Sequence, residues 1–291
     1  MNKLCLLLTG ALLSMGMFAQ DPFVGYANQT MNMHYEDNQD VLVERVKTSL
    51  ENNPQLDPAQ KGMAMMLAKP IVKNTLKQLE VQQYLTSLPE GEWFLYQRWD
   101  GVNNRIANFV PKLGRILVWD GNSGTLIIAY PNLKMALKVT EEAYKTNQFA
   151  MSAAYTPRIE GVEIEEINGF EAVPNYGLMP SDENSEAGEG QVIEQNGQKW
   201  IKVPAPGYKL ADYSILVQQT VSTEFYSQET NLKAFGKEPV AEVNFELPAG
   251  YKVVNKADAL VKNLKKAIKA GTLPIAYEAE KLPENIWDVA K

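Results

Sequence analysis

The sequence predicts an α+β fold, in which an antiparallel meander forms a curved sheet or incomplete β-barrel, with N-terminal helices covering it and a C-terminal helix. Five short apolar segments, separated by turn residues, follow one another over residues 93–139. Before them, apolar residues recur at helical spacing over residues 41–79, and a further amphipathic stretch occupies residues 257–270. Segregated runs of helices and strands are typical of the α+β class.

The N-terminus has the pattern of a secretory signal. Lys3 precedes an apolar run over residues 4–18, and the small residue Ala19 follows it. A membrane anchor is the alternative, but the run is shorter than the roughly 20 apolar residues of a spanning helix. We therefore expect a signal peptide at residues 1–19, one α+β domain at residues 20–291, and export to the periplasm or the cell-envelope surface.

Charge and rare residues argue against several classes of function. The formal net charge of −7 argues against a nucleic-acid partner and against general attraction to an anionic membrane. Cys5 is the only cysteine and lies inside the expected signal, so we expect no disulfide after cleavage. His34 is the only histidine, whereas a metal site needs several converging ligands. We expect no metal, no cofactor and no transmembrane segment.

Elements before the meander are a strand and two helices. Met31, Met33 and Tyr35 alternate with polar residues over residues 25–36, which predicts a strand that extends the later sheet. We expect Asp40 to cap a first helix.

The second helix has a stronger start signal. Asp57 stands at the N-cap position, Pro58 at the first helical position and Gln60 three residues after the cap. Pro70 lies inside the long helical pattern that follows, so we expect a kink or a break there. Met63, Met65 and Met66 cluster in this segment. Such a cluster is either core filling or a surface that accepts varied apolar partners.

Two Trp-Asp-Gly tripeptides, twenty residues apart, place hairpin turns in the meander at Asp100-Gly101 and Asp120-Gly121. The strands between the turns are apolar on both faces. One face of the first strand carries Trp93, Leu95 and Trp99, while Phe94 and Tyr96 lie on the other. The second apolar face must therefore meet another layer, a partner or a ligand. We expect the fifth strand, which alternates with lysines, at a sheet edge.

The rest of the chain continues the mixed pattern. An acidic, mobile loop is expected at residues 180–190, where a calcium site is the alternative although the spacing matches no defined loop. A helix is expected over residues 257–270, closed by Gly271, with a lysine face that is either solvated or a headgroup or partner patch. The remaining predicted elements are a helical connection at 141–151, a strand at 162–173, a hairpin at 191–203 and strands at 213–226 and 240–247.

The strands of residues 93–139 and the segment Phe245-Glu246-Leu247-Pro248-Ala249-Gly250-Tyr251 resemble the periplasmic lipoprotein-carrier (Lol) superfamily and related secreted bacterial proteins. The resemblance implies an incomplete β-barrel, covered by helices, that encloses an apolar cavity for acyl chains.

Two functions remain open at this point. The first is a non-catalytic carrier or binding module with an apolar groove for a lipid or similar hydrophobic ligand. The second is a structural or protein-interaction module of the cell envelope, bound to an envelope protein and to no small molecule. An enzyme is not expected, because neither a nucleophile motif nor a histidine cluster is present. The residues expected to line the groove are Met63, Met66, Trp93, Trp99 and Trp119.

Overall fold

A computed structural model describes residues 22–142, 145, 162–180, 191–195 and 198–290. The helices in this part are α1 (Gln39–Glu51), α2 (Pro58–Met66), α3 (Ala68–Leu85) and α4 (Ala257–Ala270). The strands are β1 (Val24–Tyr35), β2 (Gly91–Asp100), β3 (Arg105–Val110), β4 (Arg115–Asp120), β5 (Thr125–Tyr130), β6 (Met135–Thr140), β7 (Glu165–Ile167), β8 (Phe170–Pro180), β9 (Gln191–Gln195), β10 (Gln198–Leu210), β11 (Leu216–Ser222), β12 (Tyr226–Lys237) and β13 (Lys252–Val254).

The strands form one curved sheet that does not close into a barrel. Their order is β13-β6-β5-β4-β3-β2-β1-β12-β11-β10-β8-β7, and β9 pairs with β10. Neighbouring strands are antiparallel except for β13 and β6, which run parallel. The predicted α+β class, the meander from β2 to β6 and the C-terminal helix are confirmed.

β1 lies in the interior of the sheet and joins its two halves. It pairs with β2 of the meander on one side and with β12 on the other. The expectation that this early strand extends the later sheet is confirmed. The fifth meander strand, β6, is not at the edge as predicted, because the short strand β13 pairs with it through Lys252, Val253 and Val254.

The two Asp-Gly turns form where the sequence predicts them. Asp100 accepts a hydrogen bond from the backbone N–H of Asn103, and Asp120 accepts from the N–H groups of Asn122 and Ser123. Positive φ falls at the last residue of each turn, at Asn104 (55°) and Gly124 (67°), rather than at the glycine after the aspartate.

The helix starts are partly as predicted. Asn38, not Asp40, caps α1, because its side chain accepts from the N–H groups of Asp40 and Val41. Asp57 and Gln60 form a reciprocal capping box at the start of α2, as expected. The predicted break separates α2 from α3 at Leu67. Pro70 therefore lies in the first turn of α3. Proline is tolerated there because the N–H groups of a first turn form no hydrogen bonds within their helix.

Two strand predictions in the C-terminal half are wrong. Residues 213–226 do not form one strand, because the Thr223 hydroxyl accepts from the N–H groups of Phe225 and Tyr226 and turns the chain between β11 and β12. Residues 240–247 contain a 3₁₀ turn, Glu242–Phe245, instead of a strand. The fully buried Asn244 holds this turn by donating to the carbonyls of Ala241 and Glu284.

The remaining predictions have different outcomes. The predicted strand at 162–173 is a hairpin of β7 and β8, while β9 and β10 form the hairpin predicted at 191–203. The C-terminal helix α4 has the predicted bounds, with Gly271 in the left-handed conformation after its end. The expected signal peptide, the acidic segment 181–190 and most of the helical connection at 141–151 lie outside the described residues.

The two apolar faces of the meander belong to two separate cores. The face that carries Tyr96, Ile127 and Ala129 packs against the C-terminal segment, including Ile286 and Trp287. All five side chains are buried, so the C-terminal segment covers this face of the sheet. The opposite face carries Leu95, Trp99 and Trp119 and shares its core with the end of α3 and with α4.

Candidate functional site

A cavity of about 330 Å³ lies on the concave face of the sheet, between the strands and the end of α3. Its wall follows the strand period, because every second residue of neighbouring strands points into it. β1, β3 and β12 contribute alternate residues in the same way, while β5 contributes Leu126 and β11 contributes Leu216 and Gln219. The central strands β2 and β4 supply Leu95, Gln97, Trp99, Arg115, Leu117 and Trp119.

The middle of the cavity floor is less completely buried than the residues around it. Asn108 and Leu117 are register partners on β3 and β4, well inside the sheet. Both side chains are nevertheless partly exposed, while Ile106 and Trp119 beside them are buried. Partial exposure of residues this far inside the sheet fits a cavity above them rather than a completely filled interior.

One end of the cavity is aromatic. Trp99 pairs with Ile106 across β2 and β3, Ile106 pairs with Trp119, and Trp119 pairs with Leu126 on β5. All four side chains are buried and line the cavity. This row offers an apolar wall with two large rings, which suits hydrocarbon.

The middle row is polar and partly unsatisfied. Gln97 and Asn108 are register partners on β2 and β3, and both line the cavity. Within the described structure the side-chain oxygens of both residues are buried without a hydrogen-bond partner, and so is the indole N–H of Trp99. Buried polar atoms are nearly always satisfied in native proteins. Three unsatisfied atoms around one cavity indicate a place where water or a ligand supplies the missing partners.

The opposite end of the cavity is cationic. Arg115 is only 4% exposed, and its Nη1 donates to the carbonyls of Ser87 (2.6 Å) and Gln83 (3.4 Å) at the end of α3. Burial lowers the pKa of the guanidinium from its ordinary value, and the neighbouring Tyr130 acts in the opposite direction. Burial raises the pKa of Tyr130 itself to about 12, so the phenol is neutral at physiological pH.

The five residues predicted to line a groove separate into two groups. Trp99 and Trp119 lie at the same end of the cavity. Trp93 packs against the same core but does not line the cavity, and its indole N–H donates to the carbonyl of Pro89 at 2.8 Å. Met63 and Met66 lie on α2 with exposures of 68% and 83%, so they neither fill the core nor reach the cavity.

Sequence reasoning missed the polar part of the site, which consists of Gln97, Asn108 and Arg115. A signal was present, because these residues occupy inward positions of strands whose other inward positions are apolar. A polar residue at such a position is costly in a packed core, so it indicates a cavity, a partner or a hydrogen-bonding group beside it.

Outside the cavity, few described side chains are placed for metal binding or acid–base chemistry. The described residues contain no group of three or more His, Cys, Asp or Glu side chains that could hold a metal ion. Asp100 is bound by Arg105 at 2.7 Å, and Asp120 receives backbone N–H groups in its turn. Both carboxylates therefore have structural partners at turns. Neither lines the cavity, and the residues of their strands that do line it are uncharged except for Arg115.

Matched substitutions distinguish the cavity indole from a core indole. Trp287→Phe should lower the free energy of unfolding by about 1 kcal/mol more than Trp99→Phe. Each change removes an indole N–H, but the Trp287 N–H donates to the Val243 carbonyl at 3.1 Å while the Trp99 N–H has no described partner. Urea unfolding of the two variants measures the difference. Equal losses would show that the Trp99 N–H donates to a protein group, as the Trp287 N–H does.

No protein-family model matches the chain, and a search of curated proteins finds no match. Among the described helices, none combines the length and the apolar character needed to cross a lipid bilayer.

Proposed function

We propose that this chain is an exported, non-catalytic binding or carrier protein of the cell envelope, whose cavity takes one single-chain amphiphile. The observation that carries the proposal is the cavity over Asn108 and Leu117, which are partly exposed although they lie well inside the sheet. A purely structural domain gains stability by filling such a space, because an internal void costs packing energy.

The size and lining of the cavity favour an amphiphile over a large lipid. A volume of about 330 Å³ is near the lower end of the ~300–1,000 Å³ typical of small-molecule sites. The tryptophan row suits an apolar tail, whereas Gln97, Asn108 and Arg115 suit polar groups. A ligand that is apolar at one end and polar at the other matches both.

We also propose a relation to the Lol superfamily on the residues that carry the resemblance. An open sheet with helices over its concave face and a cavity between them is consistent with that relation.

Ligand binding is tested with the purified protein and a long-chain fatty acid such as myristate. We expect the acid to displace an environment-sensitive hydrophobic dye and to shift the tryptophan fluorescence, because Trp99 and Trp119 line the cavity. A Trp99→Phe/Trp119→Phe variant should bind but lose most of the spectral shift, whereas Trp93→Phe should keep it. Absence of displacement by acids, alcohols and lysolipids alike would contradict the proposal.

A protein-interaction module is the second candidate, and one surface favours it. Met63, Met66, Leu67 and Ile71 are exposed, apolar and close together around the junction of α2 and α3. Exposed apolar patches of this kind often mark contacts with other proteins. The patch lies apart from the cavity lining, so a Met63→Ser/Met66→Ser variant should leave dye displacement unchanged.

A further inference from the structure

Arg115 has an unusual position for a charged residue. It is buried, and it is the one formally charged side chain among the described residues that line the cavity. A buried cation is normally stabilised by a carboxylate, because the loss of hydration costs several kcal/mol. Within the described part of the chain, no carboxylate forms an ion pair with Arg115.

The other buried arginines of the meander show the usual arrangement. Arg98 pairs with Glu238, and Arg105 pairs with Asp100 and Glu242. Both pairs lie outside the cavity lining. Among the described residues, the buried meander arginine without a carboxylate partner is thus the one that faces the cavity.

The described hydrogen-bond partners of Arg115 carry no formal negative charge. The carbonyls of Gln83 and Ser87 lie at the C-terminal end of α3, where the helix dipole is negative. The Tyr130 phenol adds a neutral hydrogen-bonding partner. A carboxylate in the cavity would add a full counter-charge, and the planar guanidinium matches carboxylate geometry closely.

The charged and apolar ends of the cavity are spaced to suit the headgroup and the tail of an amphiphile. Arg115 and Trp119 are four residues apart on β4, which corresponds to about 13 Å along an extended strand. Leu117 lies between them on the same face and is partly exposed to the cavity. An alkyl chain that begins at Arg115 therefore runs along Leu117 towards Trp99 and Trp119.

We propose that Arg115 binds the carboxylate of a single-chain amphiphile whose alkyl tail extends to Trp99 and Trp119. This inference rests on the proposed function, because it assigns the headgroup of the ligand that the cavity takes. It makes the protein selective for anionic over neutral amphiphiles of equal chain length.

The test compares myristate, the alcohol with the same chain and the corresponding alkyl phosphate by dye displacement. Wild-type protein should bind myristate at least about tenfold more tightly than the alcohol, as a charged hydrogen bond predicts. Arg115→Met should abolish the preference, while Arg115→Lys should keep part of it because the charge remains. Arg98→Met, which removes a buried arginine outside the cavity, is the matched control and should keep the full preference.

The outcomes separate the inference from the proposed function. Equal binding of acid and alcohol by wild-type protein would overturn the role of Arg115 while the cavity remains a ligand site. Tighter binding of the alkyl phosphate than of myristate would overturn the carboxylate assignment. Binding of none of the three would overturn both proposals. If Arg115→Met does not fold, as judged by circular dichroism, the wild-type comparison and Arg115→Lys still decide the question.

Discussion

Trp287→Ala should lower the free energy of unfolding by about 3–5 kcal/mol, the range for truncating a large buried aromatic residue. Trp287 is 6% exposed, packs edge-to-face on Tyr251 with ring centroids 5.7 Å apart, and covers the second apolar face of the meander. Truncation removes the contact with Tyr251 and leaves a void in this core. Urea unfolding followed by circular dichroism measures the loss.

Val243→Ala is the matched control for this prediction. Val243 is 40% exposed and lies beside Trp287, so its truncation should cost no more than about 1 kcal/mol. If Trp287→Ala costs as little as Val243→Ala, the second face is not a packed core. The C-terminal segment would then be a removable cover rather than part of the domain.

Leu117→Trp should strongly weaken amphiphile binding with little loss of stability. The side chain points into the cavity between Arg115 and Trp119, so a larger ring occupies the space that the ligand would take. Overpacking a filled core costs about 1–3 kcal/mol, but a ring that enters open space should cost less. We expect dye displacement by myristate to weaken at least about tenfold.

Val102→Trp is the control for the added indole. Val102 is 65% exposed in the turn after β2 and lies outside the cavity lining, so its replacement should leave binding unchanged. Severe destabilisation by Leu117→Trp would indicate that the cavity closes in solution, in which case the floor is ordinary core.

Local sequence signals predicted the elements whose causes are local. The capping box of Asp57 and Gln60 and the left-handed Gly271 each depend on a few neighbouring residues, and both form as expected. The apolar alternation of the meander also assigned the two faces correctly, because the side-chain period of a strand is fixed at two.

The wrong predictions concern segments whose conformation depends on contacts with residues far away in the sequence. Residues 240–247 have β-favouring composition, but Asn244 donates to the carbonyl of Glu284, 40 residues away, and accepts from the N–H of Ile286, 42 residues away. The resulting turn docks the C-terminal segment on the second face. Propensity carries no information about such partners, and tertiary contacts override it.

The candidate site was predictable only in its apolar half. Trp99 and Trp119 were identified because large aromatic residues at alternating positions stand out in the sequence. The importance of Arg115 depends on the lack of a charged partner for it in the part of the chain that the structure describes, which only the three-dimensional arrangement shows. Met63 and Met66 were expected beside the tryptophans, but the break at Leu67 leaves them on a separate, exposed helix.

Native mass spectrometry of wild-type protein and Leu117→Trp, purified side by side from the same cells, tests the ligand cavity most directly. We expect wild-type protein to carry one small amphiphile that is released on collisional activation, and Leu117→Trp to carry none. After delipidation, wild-type protein should regain one equivalent of myristate and the variant should not. Ligand-free wild-type protein that takes up no amphiphile, or equal uptake by both proteins, would contradict a ligand site on the concave face.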